Sequence, residues 1–502
     1  MFIFPSGIPS AGGYQPAGAL YFDDAPMSLS WTPSATPTGS QRIMTFSWWQ
    51  KITNVSDSWQ MVFGNSGSGY MGTYQNSGDH YFSYTDVNGS TAYYVTSNRM
   101  FRDTTAWQHF CLSLNSNTTA SLALEVNGVA HTSFSSSTLA NDADLNFTKN
   151  GVTHFIGLQS SGSSNGFEGY LADVILIDGQ KLAASNFGET DEDTGIWVPK
   201  DPSELTFGNN GFWLDFGDGS DVGRDASTSV TKITSATYIG DMTSSGGLKA
   251  AFNNAVEGQS SSAKTGAAAS YYIGQDHGSG NSKTVTGFRL FGPNDARFSN
   301  SATHTLKLYG SDSAPTSNTD GTQLWTGSLD DTASSGTIKE VNSSITTTTG
   351  YRYHWITVTD SDSGGSNAVS ELQLFEGGTD LPNSFFPFSV NASNFAADGP
   401  ANSTDKEISI HPTIDPVGPW GVAENTLSDN NMTWISGSSA NKWNFSTIPM
   451  SNTDKIYMEF HQDGDIGGSH APGFAVTKYG HPGGDTYPGA AGRDDNWGVY
   501  LG

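Results

Sequence analysis

Apolar and polar residues alternate along most of this chain, in short runs closed by Gly, Asn, Ser or Asp. A period of two is the signature of a half-buried strand, because successive side chains point to opposite faces of the pleat. Such runs predict strands at residues 19–22, 43–50, 59–63, 81–85, 92–96, 107–115, 121–127, 153–157, 171–177 and 211–216. In MTFSWWQK the alternation sets Thr45, Ser47 and Trp49 on one face and Met44, Phe46, Trp48 and Gln50 on the other. Asn88-Gly89 and Asn127-Gly128 are hairpin turns, since both positions of a tight primed turn need a positive φ. A second series follows as KTVTGFRLFG, HTLKLYGSD, GTQLWTGSL, YRYHWITVT and SELQLFEGG, and a third as NTLSDNNMTWISG, KWNFSTIPM and DKIYMEFHQDG. Many short strands at turn-marked intervals define an all-β chain of tandem antiparallel β-sandwich or jelly-roll domains.

Composition sharpens this in four ways. The 502 residues exceed one hydrophobic core and suggest about three domains. With 49 acids against 22 bases, a net charge of −27 excludes nucleic acid, which requires clustered Lys and Arg. The single cysteine, Cys111, lies in the apolar run HFCLSL and reads as a small buried hydrophobe, so no internal disulfide framework exists. The start, MFIFPSGIPSAGGYQP, has neither the basic nor the apolar region of a signal peptide, and no span approaches the ~20 apolar residues of a membrane helix. The expectation is synthesis in a cytoplasm, no membrane insertion, and an assembly segment at 1–18.

Carboxylates carry the enzymatic alternative. In GFEGYLADVILIDGQKL, Glu168, Asp173 and Asp178 fall five residues apart. A glycosidase needs two carboxyls facing one groove, about 5–10 Å apart, whereas a spacing of five puts neighbours on opposite faces. The stretch is therefore read as a strand with Glu168 before it, Asp173 near an edge and Asp178-Gly179 in the turn. Glu189, Asp191 and Asp193 read as a solvated acidic loop, and Asp215, Asp218, Asp221 and Asp225 as a linker that lacks the Asp-x-Asp-x-Asp-Gly pattern of a calcium loop. Asp463-Gly464-Asp465 has the same standing. The histidines form no metal-binding pair motif, His109 falls in a strand as a structural residue, and His461, His470 and His481 share a Gly-rich stretch. No catalytic residue is assigned. Aromatic residues, 12% of the chain, are the remaining binding chemistry, because exposed rings stack on the apolar faces of sugars. Tyr70, Tyr74, Tyr271, Tyr272 and Trp325, placed in loops, are the candidate ligand contacts.

Several segments resemble known families. TTAWQHFCLSL followed by LALEVNG, with GALYFDDAPMSLSWTP before and GFEGYLADVILIDGQKL after, resembles a laminin-G-like domain of the concanavalin A-like superfamily over 19–217. FGETDEDTGIWVPK and NNGFWLDF resemble the form of that domain found in marine bacteriophage virion proteins. The second series resembles a discoidin-type, galactose-binding-like jelly roll over 230–377, although Asn253-Asn254 stands where that family often holds calcium on an Asp-Gly-Asn turn. Loss of the carboxylate weakens a calcium site there, so no cofactor is required and calcium stays an unsupported alternative. The third series resembles a partial SPRY-like sandwich over 415–502, with a linker at 218–229 and a connector at 378–414. These resemblances imply a non-enzymatic virion protein, a tail fibre or appendage displaying lectin-like modules towards host-surface glycans. They also imply a homotrimer built with other virion proteins, in which weak sites gain avidity. A polysaccharide-degrading tailspike and a capsid decoration or structural spacer are the alternatives.

Overall fold

The computed structural model describes residues 13–396 apart from short interruptions, the longest 361–365, and beyond 396 only short strand segments. The described secondary structure is strand apart from short 3-10 turns such as Ala184–Asn186 and Leu248–Phe252. The all-β expectation holds. The chain divides into two compact units, residues 1–101 with 107–410, and residues 102–106 with 411–502.

The larger unit begins with β1 (Ala19–Asp23), β2 (Ser28–Trp31), β3 (Ile43–Ile52), β4 (Trp59–Asn65), β5 (Tyr70–Asn76), β6 (Asp79–Asn88), β7 (Thr91–Met100) and β8 (Gln108–Asn115). It continues through β9 (Ser121–Val126), β10 (Val129–His131), β11 (Phe134–Thr138), β12 (His154–Ile156), β13 (Glu168–Asp178), the hairpin β14 (Gly188–Thr190) with β15 (Trp197–Pro199), and β16 (Phe212–Leu214). One antiparallel sheet runs β10-β9-β8-β3-β13-β1, and the facing sheet runs β11-β7-β6-β5-β4-β12-β2. The alternation in β3 explains their packing. Met44, Phe46 and Trp48 point into the shared core with Phe63, Phe82 and Phe110, and the opposite-facing Trp49 packs with Trp107 and Ala172 outside it. Asn127 and Gly128 both take positive φ, 50° and 71°, as a tight primed hairpin requires.

The acid-bearing stretch is β13, and it is central. It pairs with β1 and with β3, and its register against β3 shifts between Ala172 and Ile175. The expectation that Asp173 lies near an edge is thus corrected: Asp173 sits at the irregularity with φ 41°. Val174 and Leu176 enter the main core, and Ile175 and Ile177 pack under the 180–207 segment with Cys111, Phe187 and Phe207. Coverage on both faces accounts for a run of consecutive apolar residues.

The second sandwich comprises β17 (Thr231–Ile233), β18 (Thr237–Gly240), β19 (Ser244–Ser245), β20 (Ala263–Ala267), β21 (Ser270–Asp276), β22 (Gly287–Phe291) and β23 (Thr303–Ser311). It closes with β24 (Thr322–Asp330), β25 (Ile338–Val341), β26 (Tyr353–Asp360), β27 (Ser366–Val369) and β28 (Glu371–Glu376). Sheets β17-β28-β22-β25 and β18-β21-β26-β23-β24 face each other across a core of Ile273, Phe288, Leu306, Ile356 and Leu374.

Both inter-block segments differ from simple connectors. Within 218–229, Asp221 and Asp225 are buried and hydrogen-bonded, with Asp225 accepting from the backbone N–H of Trp213 (3.0 Å) and of Asn383 (2.8 Å). Within 378–414, β29 (Phe386–Phe388) pairs with β2, and β30 (Phe395–Ala396) pairs with β1, so this segment extends both sheets of the first sandwich. Turn-forming residues hid these strands from the sequence pattern, and pairing with an existing edge supplied the order.

In the smaller unit the described segments form short antiparallel pairs, such as Asn425–Ser428 with Thr433–Ser436. The strand KIYMEF that carried the SPRY-like resemblance, His461, His470, His481, Asp463 and Asp465, and residues 1–12 of the expected assembly segment lie outside the described residues.

Candidate functional site

Two of the five candidate rings come together with rings that were not on the candidate list. Tyr70 and Tyr74 lie on a strand, β5, rather than in a loop. The glycine and amides of YMGTYQN weaken the strand signal, but β5 is held on both sides by β4 and β6. Positions 70, 72 and 74 share one face by the period of two, opposite the core residue Met71. Register then builds the site: Trp59 pairs with Tyr74, Tyr74 with Tyr81, and Tyr81 with Met100. Four residues further along the strands, Tyr70 pairs with Thr85 and Thr85 with Tyr94.

The rings form a ridge across the sheet. Trp59 and Tyr74 stack at 5.0 Å and 25°, Tyr74 and Tyr81 lie at 6.2 Å, and Tyr70 sets its ring at 81° to Trp59 at 5.7 Å. Between the two rows run Gly72, Ser83 and Thr96. Four residues of strand rise set the two rows about 13 Å apart, and the Trp59 ring leans across that interval to meet Tyr70. Gly72 has no side chain to keep Trp59 and Tyr70 apart. A Cβ there would lie 2.0 Å from the Gln60 carbonyl oxygen. Trp59, Tyr70, Tyr74 and Tyr81 are half-buried, whereas Tyr94 and Met100 are 44% and 43% exposed. Large, partly exposed rings with hydroxyls between them can hold a ligand with apolar faces and polar edges. The signal for Trp59, Tyr81 and Tyr94 was present in the alternation of their predicted strands, which sets Tyr81, Ser83 and Thr85 opposite Phe82 and Tyr84.

The other candidates are placed differently. Tyr271 is on β21, fully buried in the second core, which removes it as a surface contact. Tyr272, its neighbour on the opposite face, is half-buried against Trp355 at 6.5 Å. Trp325, on β24, meets Phe288 edge to face at 5.2 Å, and its indole N–H donates to Ser344 Oγ at 2.7 Å, so it closes over the core.

The carboxylates of the first sandwich hold structure. Glu168 accepts from Asn54 Nδ2 at 2.8 Å. Asp173 accepts at one oxygen from Tyr14 O–H (3.0 Å) and Trp213 Nε1–H (2.9 Å), and burial pushes its pKa up to about 7. Asp178 accepts from the backbone N–H of Thr38 (2.7 Å) and Asn210 (3.1 Å), and burial raises it too. Each of the three acids is thus held by its own set of partners. Glu189 lies on the short β14 and is exposed. Asp215 pairs with Arg224, and Asp221 with Lys232 at 2.5 Å. His109 lies within 2.8 Å of Ser47 Oγ, which suggests a nucleophile and base. Trp197 Nε1–H donates to His109 Nδ1 at 3.0 Å, so the ring proton is on Nε2 and points at Ser47. A neutral imidazole in that tautomer cannot take the serine proton. Burial lowers the His109 pKa to about 3 and keeps the ring neutral, and it raises the Cys111 thiol. Among the described residues no group of three or more His, Cys, Asp or Glu is arranged to hold a metal ion.

Residues 29–185 match the family model of the concanavalin A-like lectin/glucanases superfamily, and every ridge residue falls within that span. The chain matches no curated protein. Among solved structures it is similar to the CBM62 module of Xyl5A from Clostridium thermocellum (20% identity, TM-score 0.21, covering 31% of this chain and 99% of that one). It is also similar to a putative carbohydrate binding protein from Bacteroides ovatus (13%, TM-score 0.29, 43% and 54%), of which it spans about half. A third is mouse laminin alpha1 domains LG4-5 (10%, TM-score 0.24, 76% and 90%).

Proposed function

We propose that this protein is a non-enzymatic, lectin-like binding protein that holds uncharged glycans on the ridge of Trp59, Tyr70, Tyr74 and Tyr81. The observation that carries the reading is the cluster of partly exposed rings on one sheet face, with Trp59 5.0 Å from Tyr74 and 5.7 Å from Tyr70, and with Thr96 between its two rows. Rings stack on pyranose faces while hydroxyls bond their edges. The net charge of −27 disfavours polyanionic chains, so the preferred ligand is neutral. The superfamily match over 29–185, a description that spans lectins and glucanases, supports binding, and the engaged carboxylates of β13 argue against cleavage.

The setting we propose is a bacteriophage virion, as a tail fibre or appendage exposed on the particle and assembled as a homotrimer with other virion proteins. Support comes from FGETDEDTGIWVPK and NNGFWLDF, which resemble virion forms of the domain, and from the gain in avidity that three weak sites give. The full chain is screened on a neutral-glycan array and the bound glycans are analysed for cleavage, while purified particles are probed for the chain. Binding without turnover, on a chain that co-purifies with virions, is expected. Hydrolysis of the bound glycan would overturn the binding reading, and absence from the particles the virion reading.

A further inference from the structure

A lysine, an aspartate and a buried glutamic acid meet where the 218–229 segment joins the second sandwich. Alternation along β28 sends Leu372 and Leu374 into the core and leaves Glu371, Gln373 and Phe375 on the other face. β17 does the same with Ile233, and its Lys232 pairs with Phe375, which places the ammonium over that face. Lys232 Nζ lies 2.5 Å from Asp221 Oδ1 and 3.2 Å from Asn254 Oδ1. Asn254, held at φ 60°, donates its backbone N–H to Glu371 Oε2 at 3.2 Å. The Lys232 and Asp221 side chains are only 15% and 10% exposed. Val230, Phe375 and Phe385 line the same pocket.

We propose that Lys232 and Asp221 condense into an intramolecular amide, a covalent staple between the end of the first sandwich and the first strand of the second. The ion pair is overall neutral and so is the product: one ammonium and one carboxylate give one amide and one water. An Nζ proton passes to the carboxylate. The freed Nζ lone pair attacks Cγ, forming the C–N bond and a tetrahedral centre. The C–O bond then breaks, and the oxygen leaves as water once it has gained a second proton. Glu371, linked to the pair through Asn254, relays that proton, giving one to the departing hydroxyl and taking one back from the nitrogen. Burial pushes its carboxyl up to about 8, so it carries a proton at neutral pH. Fixed contact replaces a bimolecular encounter, and a site largely closed to water favours amide over hydrolysis.

The test is the intact mass of the purified full chain, followed by tryptic mapping. The expected result is a chain lighter than its sequence by one water, with no cleavage after Lys232. Peptide 201–224 should then be joined to peptide 225–249. Lys232→Arg keeps the positive charge but should return the full sequence mass. Glu371→Gln should leave most of the chain unjoined. Mapping also separates the staple from a succinimide at an Asp-Gly step, which loses water but joins no peptides. A chain at its full sequence mass would overturn the proposal, as would a water loss that persists in Lys232→Arg. Loss of ammonia instead of water would overturn the assignment to Asp221 in favour of Asn254.

Discussion

Asp173→Asn should stabilise the protein, and only above acidic pH. Asp173 is buried within β13, and burial pushes its pKa from 3.8 to about 7, against the hydrogen bonds from Trp213 and Tyr14 that favour the charged form. Between those two values the native state holds a proton that the unfolded chain has released. Stability therefore falls as pH rises across that window and is level above it. At about 1.4 kcal/mol per pH unit the window is worth about 4 kcal/mol. Asparagine is neutral, tolerates the φ of 41°, and offers an oxygen to the same two donors. Urea unfolding of both proteins at pH 4 and pH 8 measures the difference. The variant should match the parent within about 1 kcal/mol at pH 4 and exceed it by about 4 kcal/mol at pH 8. An equal gap at both pH values, or a variant weaker at pH 8, would refute the reasoning.

Other changes test other links. His109 has its pKa lowered to about 3 by burial, so its contribution is complete above the unfolded value near 6.5 and lost as pH falls below it. Urea midpoints at pH 7 and pH 5 should show His109→Gln losing about 2 kcal/mol less than the parent over that interval. Trp48→Ala removes a fully buried ring stacked on Phe110 at 5.2 Å and should cost about 3–5 kcal/mol in the same assay. Gly64→Ala would bring a Cβ to 1.9 Å from the Gln159 carbonyl oxygen, so the 159–165 loop must shift, with a loss of about 1–3 kcal/mol by thermal unfolding.

The first sandwich was legible because its strands are strongly patterned. Met44, Phe46 and Trp48 point inward as the alternation of MTFSWWQK requires, and Asn127-Gly128 turns where the dipeptide predicts. β5 was not legible, since YMGTYQN owes its order to partners on both sides rather than to its own residues. That omission put Tyr70 and Tyr74 in a loop and hid their alignment with Trp59 and Tyr81, which is a property of register between strands distant in sequence. Tyr271 and Tyr272 show the converse. Adjacent strand residues face opposite ways, so one entered the core and the other did not. The acids of 218–229 looked like a solvated linker because nothing local reveals Lys232 and Asn383 as partners of Asp221 and Asp225.

The central claim is that the ridge binds glycan, and calorimetric titration of the parent and of Trp59→Ala/Tyr74→Ala tests it most directly, using the neutral oligosaccharide that scores highest on the array. Both substitutions lie on the outer face, so each protein's unfolding temperature is measured alongside. Losing two stacking rings, at about 1 kcal/mol each, should weaken binding at least about tenfold in a variant that remains folded. A folded variant that binds as tightly as the parent would contradict the account.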